Sequence, residues 1–280
     1  MTPSRVITIA RKEVDDSVRS RLLWGIVGLV AVLTSFAAAM LQFVPGVEAD
    51  ALAGINGATE LATLLVPIVA LVAAYLAIAG ERESGSVKVL LGFPPSRAEV
   101  VAGKFLGRAA LVIVGVSAGY AVSGVVTLLV YGSLPVVAFA ATLALTAFLG
   151  AVFVAIAVGL SALSATRSRA MTGSIAVYLV LTLFWDFVPQ GTYMLVEGSS
   201  PTAPLPGWFL LLQSLSPTGA YGSLVTAVVS SEAGVPGLPA LVAGAFPFYL
   251  EPWFLLGLLA AWSAVPLLVG YRAFEKADLA

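Results

Sequence analysis

Apolar residues in this chain come in blocks too long for the interior of a soluble fold. The stretches Leu22–Val44, Leu61–Gly80, Phe105–Tyr131, Leu134–Ala165, Met171–Val188 and Pro252–Gly270 each approach or exceed the roughly 20 residues that a helix needs to cross a bilayer. Only 10% of the residues are charged, against roughly 25% in soluble domains. Sixty per cent are hydrophobic, more apolar surface than a soluble fold of 280 residues can hide. The expected fold class is an all-α integral membrane protein: six transmembrane helices forming one domain over residues 1–280.

The placement of charge orients these spans. The 14 basic residues fall into four groups: Arg5 to Arg21, Arg82 to Arg108, Arg167 with Arg169, and Arg272 with Lys276. The groups occupy alternate connections. The connections between them carry acids, including Glu48, Asp50, Glu60, Asp186, Glu197, Glu232 and Glu251. Basic loops stay in the cytoplasm, so both termini, the 81–104 loop and the 166–170 loop are expected there. Ala37-Ala38-Ala39 resembles a signal cleavage site, but the apolar run before it is too long and its flank too acidic. An uncleaved first span is the better reading.

The stretch from Pro189 to Pro252 holds nine of the 16 prolines. Its apolar part, Trp208 to Val229, could be taken for a seventh span, but that would carry Arg272 and Lys276 outside. The segment 189–251 is expected to be extracytoplasmic, either re-entrant or interfacial.

Two cytoplasmic elements stand out. In residues 1–21, Thr2-Pro3 suits a helix start, and Val6, Ala10, Val14 and Val18 repeat every four residues. This predicts an amphipathic helix on the inner membrane surface, in contact with lipid. In the 81–104 loop, Ser84 or Ser86 can cap a short helix bearing Val87, Leu90 and Leu91, with Gly92 as its stop. Pro94-Pro95 interrupts the chain, and Ser96 with Glu99 forms a capping box for the next helix. An apolar helix framed by charges in the cytosol suggests docking on a soluble partner.

Several chemistries are excluded. Without Cys or His there is no disulfide, thiolate chemistry, usual zinc site or Ser-His-Asp triad. There is no P-loop either; Gly103-Lys104-Phe105 lacks the earlier Gly and the hydroxyl residue. No metal, cofactor or nucleic-acid partner is expected. No span carries a charge near its middle, which disfavours an ion-coupled secondary transporter. No constellation of acids and hydroxyls supports a membrane-embedded enzyme. Gln42, Tyr75, Ser117, Tyr120, Ser123, Tyr178 and Trp185 could line a path, although packing is the commoner role for such residues. Gly115-x-x-x-Gly119 and Ala155-x-x-x-Gly159 permit close helix approach.

The run Glu81-Arg82-Glu83-Ser84-Gly85-Ser86, the apolar turn after it, Pro94-Pro95-Ser96-Arg97 and Glu99-Val100-Val101 through Gly103-Lys104 resemble the segment after the second span of ABC-2-type permeases. Within that family, the branch serving nitrous-oxide-reductase maturation is the most similar. Ala10-Arg11-Lys12-Glu13 resembles the family's interfacial helix, and Leu215-Ser216-Pro217 a motif of its outer segment. The resemblance implies a permease of unidentified substrate, built as a dimer with itself or a near relative and bound to two separate ATPase subunits. It also implies that the 81–104 loop is a coupling helix, with Glu81, Arg82, Glu83, Ser84, Gly85, Val87, Lys88, Leu90 and Leu91 at the ATPase.

Overall fold

A computed structural model describes residues 3–18, 21–44, 49–85 and 96–277. The elements are α1 (Pro3–Val18), α2 (Arg21–Met40), α3 (Ala51–Ala74), α4 (Ala79–Glu83), α5 (Arg97–Tyr131), α6 (Val136–Leu163), α7 (Arg167–Tyr178), α8 (Phe187–Glu197), α9 (Gly207–Ser214), α10 (Pro217–Ala233) and α11 (Pro252–Lys276). Among the described residues there is no strand, only an isolated bridge between Leu205 and Val242.

Five helical stretches are long and apolar enough to cross a membrane: Leu23–Phe43, Ala51–Glu83, Arg97–Tyr131, Val136–Leu163 and Pro252–Lys276. A sixth arises if α7 and its continuation to Leu183 are joined with α8 across a 47° bend. Chain and bilayer physics thus give the expected count with different boundaries. The second span starts at Ala51, not Leu61, because the Asp50 carboxylate accepts from the Ala53 N–H at 2.8 Å and caps the helix there. The fifth runs beyond Val188 to Glu197. Its bend follows a wider turn at Leu179–Leu183, which breaks the regular hydrogen-bond ladder.

Close approach between helices is built on glycine. Gly119 faces Val30 and the Val27 carbonyl of α2, and Gly115 faces Ile26. Gly159 of α6 meets the Pro266 backbone of α11, and Gly270 of α11 meets Gly159 in return. Both small-residue motifs therefore pack helices within one chain.

The core of the bundle carries hydroxyls as well as apolar groups. Tyr120 of α5 is fully buried; its OH lies 2.7 Å from Thr59 Oγ1 of α3 and donates to Thr142 Oγ1 of α6 at 3.3 Å. Tyr221 of α10 is equally buried, with its OH 2.8 Å from Thr146 Oγ1 of α6. Such bonds satisfy polar groups where water is absent.

Helices α9 and α10 form a hairpin whose tip lies deep among the spans. The break at Leu215–Ser216 frees backbone carbonyls, and indoles from two spans take them up. Trp185 Nε1 donates to Leu212 O and Trp262 Nε1 to Leu215 O, each at 2.9 Å. Thr218 Oγ1 donates to Leu181 O, in the wide turn, at 2.8 Å. Trp262 lies ten residues along α11 from Pro252, about 15 Å at 1.5 Å per residue. Ser216 caps α10 by accepting from the Gly219 N–H, and Pro217 occupies its first turn. A smaller aromatic cluster of Tyr193, Phe209, Leu210, Val242 and Leu250 covers the other end of the hairpin.

Candidate coupling site

Five helix ends converge where α4 stops and α5 begins. The segment Glu81-Arg82-Glu83 is the last turn of α4, which continues the second span after an irregular turn at residues 75–78. Ser161 Oγ of α6 bridges that irregular turn by accepting from the Ile78 and Ala79 N–H groups at 3.0 and 2.9 Å. Gly85, at φ 76°, adopts the left-handed conformation open to glycine just past the helix end. Ser84 therefore closes a helix; its hydroxyl donates to Glu81 O at 3.3 Å.

The three charged residues of this turn each reach a different partner. Glu81 Oε1 accepts from Lys104 Nζ of α5 at 2.7 Å. Arg82 Nη1 donates to Ala162 O and Ser164 O, at the end of α6, at 3.2 and 2.9 Å. Glu83 Oε2 accepts from the Arg167 N–H, at the start of α7, at 2.5 Å. A negative group at a helix start and a positive group at a helix end both suit the helix dipole.

Lys104 is the hub. Its side chain is 3% exposed, and its ammonium also donates to Glu13 Oε1 of α1 at 2.8 Å. Glu13 receives a second cation, Arg108 Nε, at 2.8 Å, and Arg108 Nη1 donates to Ala73 O of α3. Burial alone would raise the Glu13 pKa; the Lys104 and Arg108 charges and hydrogen bonds outweigh it and hold it below its usual value. The ionised network therefore contributes stability above the ordinary carboxylate pKa and loses it as pH falls through the depressed folded value. The seam of α1 is formed by Val6, Ile9 and Glu13, not by the four-residue apolar repeat alone. It sits against Gly103 and Gly107, where a Cβ would lie 2.6 Å from Ile9 Cβ and 2.5 Å from Glu13 Cβ.

The other end of the loop is anchored too. Ser96 and Glu99 make the expected capping box: the Glu99 N–H donates to Ser96 Oγ at 3.3 Å and the Ser96 N–H to Glu99 Oε2 at 2.8 Å. Arg97 Nη1 donates to the carbonyls of Phe274, Glu275 (2.7 Å) and Ala277 (2.9 Å) at the end of α11. The Phe274 ring stands 5.4 Å from the Arg97 guanidinium and 6.0 Å from that of Arg82. Val87, Lys88, Leu90 and Leu91 lie outside the described residues.

Sequence reasoning missed the buried triad of Glu13, Lys104 and Glu81, because its members are far apart in the chain. The pairing of Arg108 with Glu13 was missed for the same reason. Tyr120, Ser123 and Trp185 have packing roles: each hydrogen-bonds another helix or its own backbone.

The model of the ABC-2 family transporter protein matches residues 7–279. The "Probable ABC transporter permease protein NosY" of Stutzerimonas stutzeri is 32% identical over 286 residues, covering 98% of this chain and 99% of the relative. The protein of the same name in Pseudomonas aeruginosa is 30% identical over 282 residues, covering 97% and 98%. With the family model spanning nearly the whole helical bundle, the chain belongs to the ABC-2 family of transporter proteins.

Proposed function

We propose that this chain is the membrane-spanning permease subunit of an ABC transporter, working with an ATP-binding subunit on another chain. Full-length similarity to two permeases of this kind supports it. The observation that carries the mechanism is the convergence of α1, α4, α5, α6, α7 and α11 on the two anchored ends of the loop. A partner that pushes or pulls residues 86–95 acts at once on Glu81–Glu83 and on Ser96–Glu99. Through their ion pairs and hydrogen bonds it reaches the ends of several spans. ATP binding then biases two arrangements of the bundle, which is what coupling requires.

In this reading Val87, Leu90 and Leu91 form the apolar contact with the ATPase, and Lys88 lies at its rim. Glu81, Arg82 and Glu83 pass the force inward. The working assembly holds two permease chains, this one with itself or a near relative, and two ATPases. The hairpin α9–α10 re-enters the membrane from outside. Its tip, about 15 Å along α11, supports that over a surface location.

Leu90→Asp tests the docking. A charge placed in a desolvated apolar contact weakens binding, and retention of the ATPase by the purified permease should fall about tenfold or more, or ~1.4 kcal/mol. Lys88→Ala should change it little, since rim ion pairs are worth about 0–1 kcal/mol. Native mass spectrometry of the same wild-type preparation reads the subunit count, and a complex with one permease chain rules out the dimer. Undiminished ATPase retention by Leu90→Asp removes the docking assignment.

Both termini are cytoplasmic in this reading. The cysteine-free chain allows a direct check with an impermeant thiol reagent. Cysteines replacing Glu197 or Glu232 should label in intact cells, and one replacing Lys12 only after lysis. The reverse pattern inverts the topology.

A further inference from the structure

A cleft of about 550 Å³ lies between α3, the bend joining α7 to α8, and the hairpin α9–α10. Its wall on α3 is a polar stripe, Asn56, Thr59, Glu60 and Thr63, spaced as one face of a helix. Polar residues placed together on a spanning helix face a water-filled cavity or a partner, because lipid cannot satisfy them. Opposite stand Thr182 and Asp186, also one turn apart, and Gln213 comes from the hairpin. Glu60 and Asp186 are exposed, so the cleft is open.

Asn56 Nδ2 donates to Glu60 Oε1 at 3.0 Å, while two groups beside the cleft lack such a bond. Thr182 Oγ1 is shielded from solvent and lacks a hydrogen-bond partner among the described residues. Pro67 has no N–H to give the Thr63 carbonyl, so the stripe ends at a turn lacking its helical bond. The floor, by contrast, is fixed: Thr59 and Tyr221 are tied by hydroxyl bonds to Tyr120 and Thr146.

The chemistry of the lining selects a guest. It holds two carboxylates and no Lys or Arg, which disfavours an anion. Among the described residues no group of three His, Cys, Asp or Glu could hold a metal ion, and the volume is that of a small-molecule pocket. We propose that this cleft binds a small organic cation rich in N–H donors, with Glu60 and Asp186 supplying the charge and Thr182 and Gln213 accepting hydrogen bonds. It deepens the permease reading by giving that protein a ligand class, yet its test uses no ATPase.

The reporter is Thr182→Cys in the full chain in nanodiscs, with Ser200→Cys, exposed and outside the cleft, as reference. Each is reacted with a trimethylammonium and with a sulfonate methanethiosulfonate. The cation-to-anion rate ratio at 182 should exceed that at 200 about tenfold, the low end of electrostatic focusing in a charged cleft. Glu60→Gln and Asp186→Asn, singly and together, should bring it down towards the reference. Spermidine should slow the cationic reagent saturably, and taurine should not. Equal ratios at both positions overturn the proposal, as does a raised ratio that survives the double substitution. A ratio that falls as expected without saturable protection by spermidine also overturns it, because attraction is then diffuse and no site exists. None of these failures touches the ATPase-docking test.

Discussion

Lys104→Met should destabilise the permease by about 3 kcal/mol and remove one anchor of the 81–104 loop on the bundle. The wild-type ammonium is almost wholly buried between two carboxylates at 2.8 and 2.7 Å. Removing one partner of a buried ion pair typically costs about 3–5 kcal/mol, since the remaining charge is left uncompensated. The lower end applies here, because Glu13 keeps Arg108 and the Glu81 side chain is 30% exposed. Combining Lys104→Met with Glu13→Gln and Glu81→Gln should recover much of the stability, since a neutral buried cluster carries no stranded charge. Thermal unfolding in nanodiscs reads both effects. A single variant that unfolds at the wild-type temperature shows that the triad does not hold these helices. Measuring ATPase stimulation in the triple variant then separates stability from transmission: a permease that is stable yet no longer stimulates its ATPase places the triad in the coupling path.

Gly159→Val should cost about 3 kcal/mol or more and spread the crossing of α6 with α11. Overfilling a packed site costs about 1–3 kcal/mol when neighbouring side chains can shift. Here the new Cβ meets the Pro266 carbonyl group, which is backbone and cannot turn away. Gly270 has the reciprocal problem against Gly159, so one helix cannot slide to relieve the other. Gly159→Ala should fall between wild type and Val. Protease resistance and the thermal aggregation temperature of the purified chain check the order. Wild-type values for Gly159→Val would show that the crossing tolerates separation.

Span number was legible because hydrocarbon thickness imposes length on every apolar block. Boundaries were less so. Residues 51–60 read as a polar loop, since Asn56, Glu60, Gly54 and Gly57 all weaken an apolar signal. The structure resolves this by pressing Gly54 against Tyr131 and Gly57 against the Ala37 carbonyl of α2, while the polar residues turn to the cleft. The four-residue spacing was present in the sequence, but a search for apolar faces passes over a polar one. The Ser96–Glu99 capping box was readable because its two members are three residues apart. The pairing of Glu13 with Lys104 was not, because 91 residues separate them and only the packing of α1 on α5 brings them together.

The grip of Arg97 on the carbonyls of residues 274–277 also has a meaning in time. A ribosome releases Arg97 and the 81–104 loop long before it makes α11. Until Phe274 emerges, the Arg97 and Arg82 guanidiniums lack the ring that stands beside both, and the downstream edge of the loop has its Ser96–Glu99 capping box but not its tie to α11. The contact of this edge with α11 therefore forms late, after the preceding crossings have been threaded. If the loop docks the ATPase as proposed, a nascent permease, inserted but unfinished, still lacks this part of the platform.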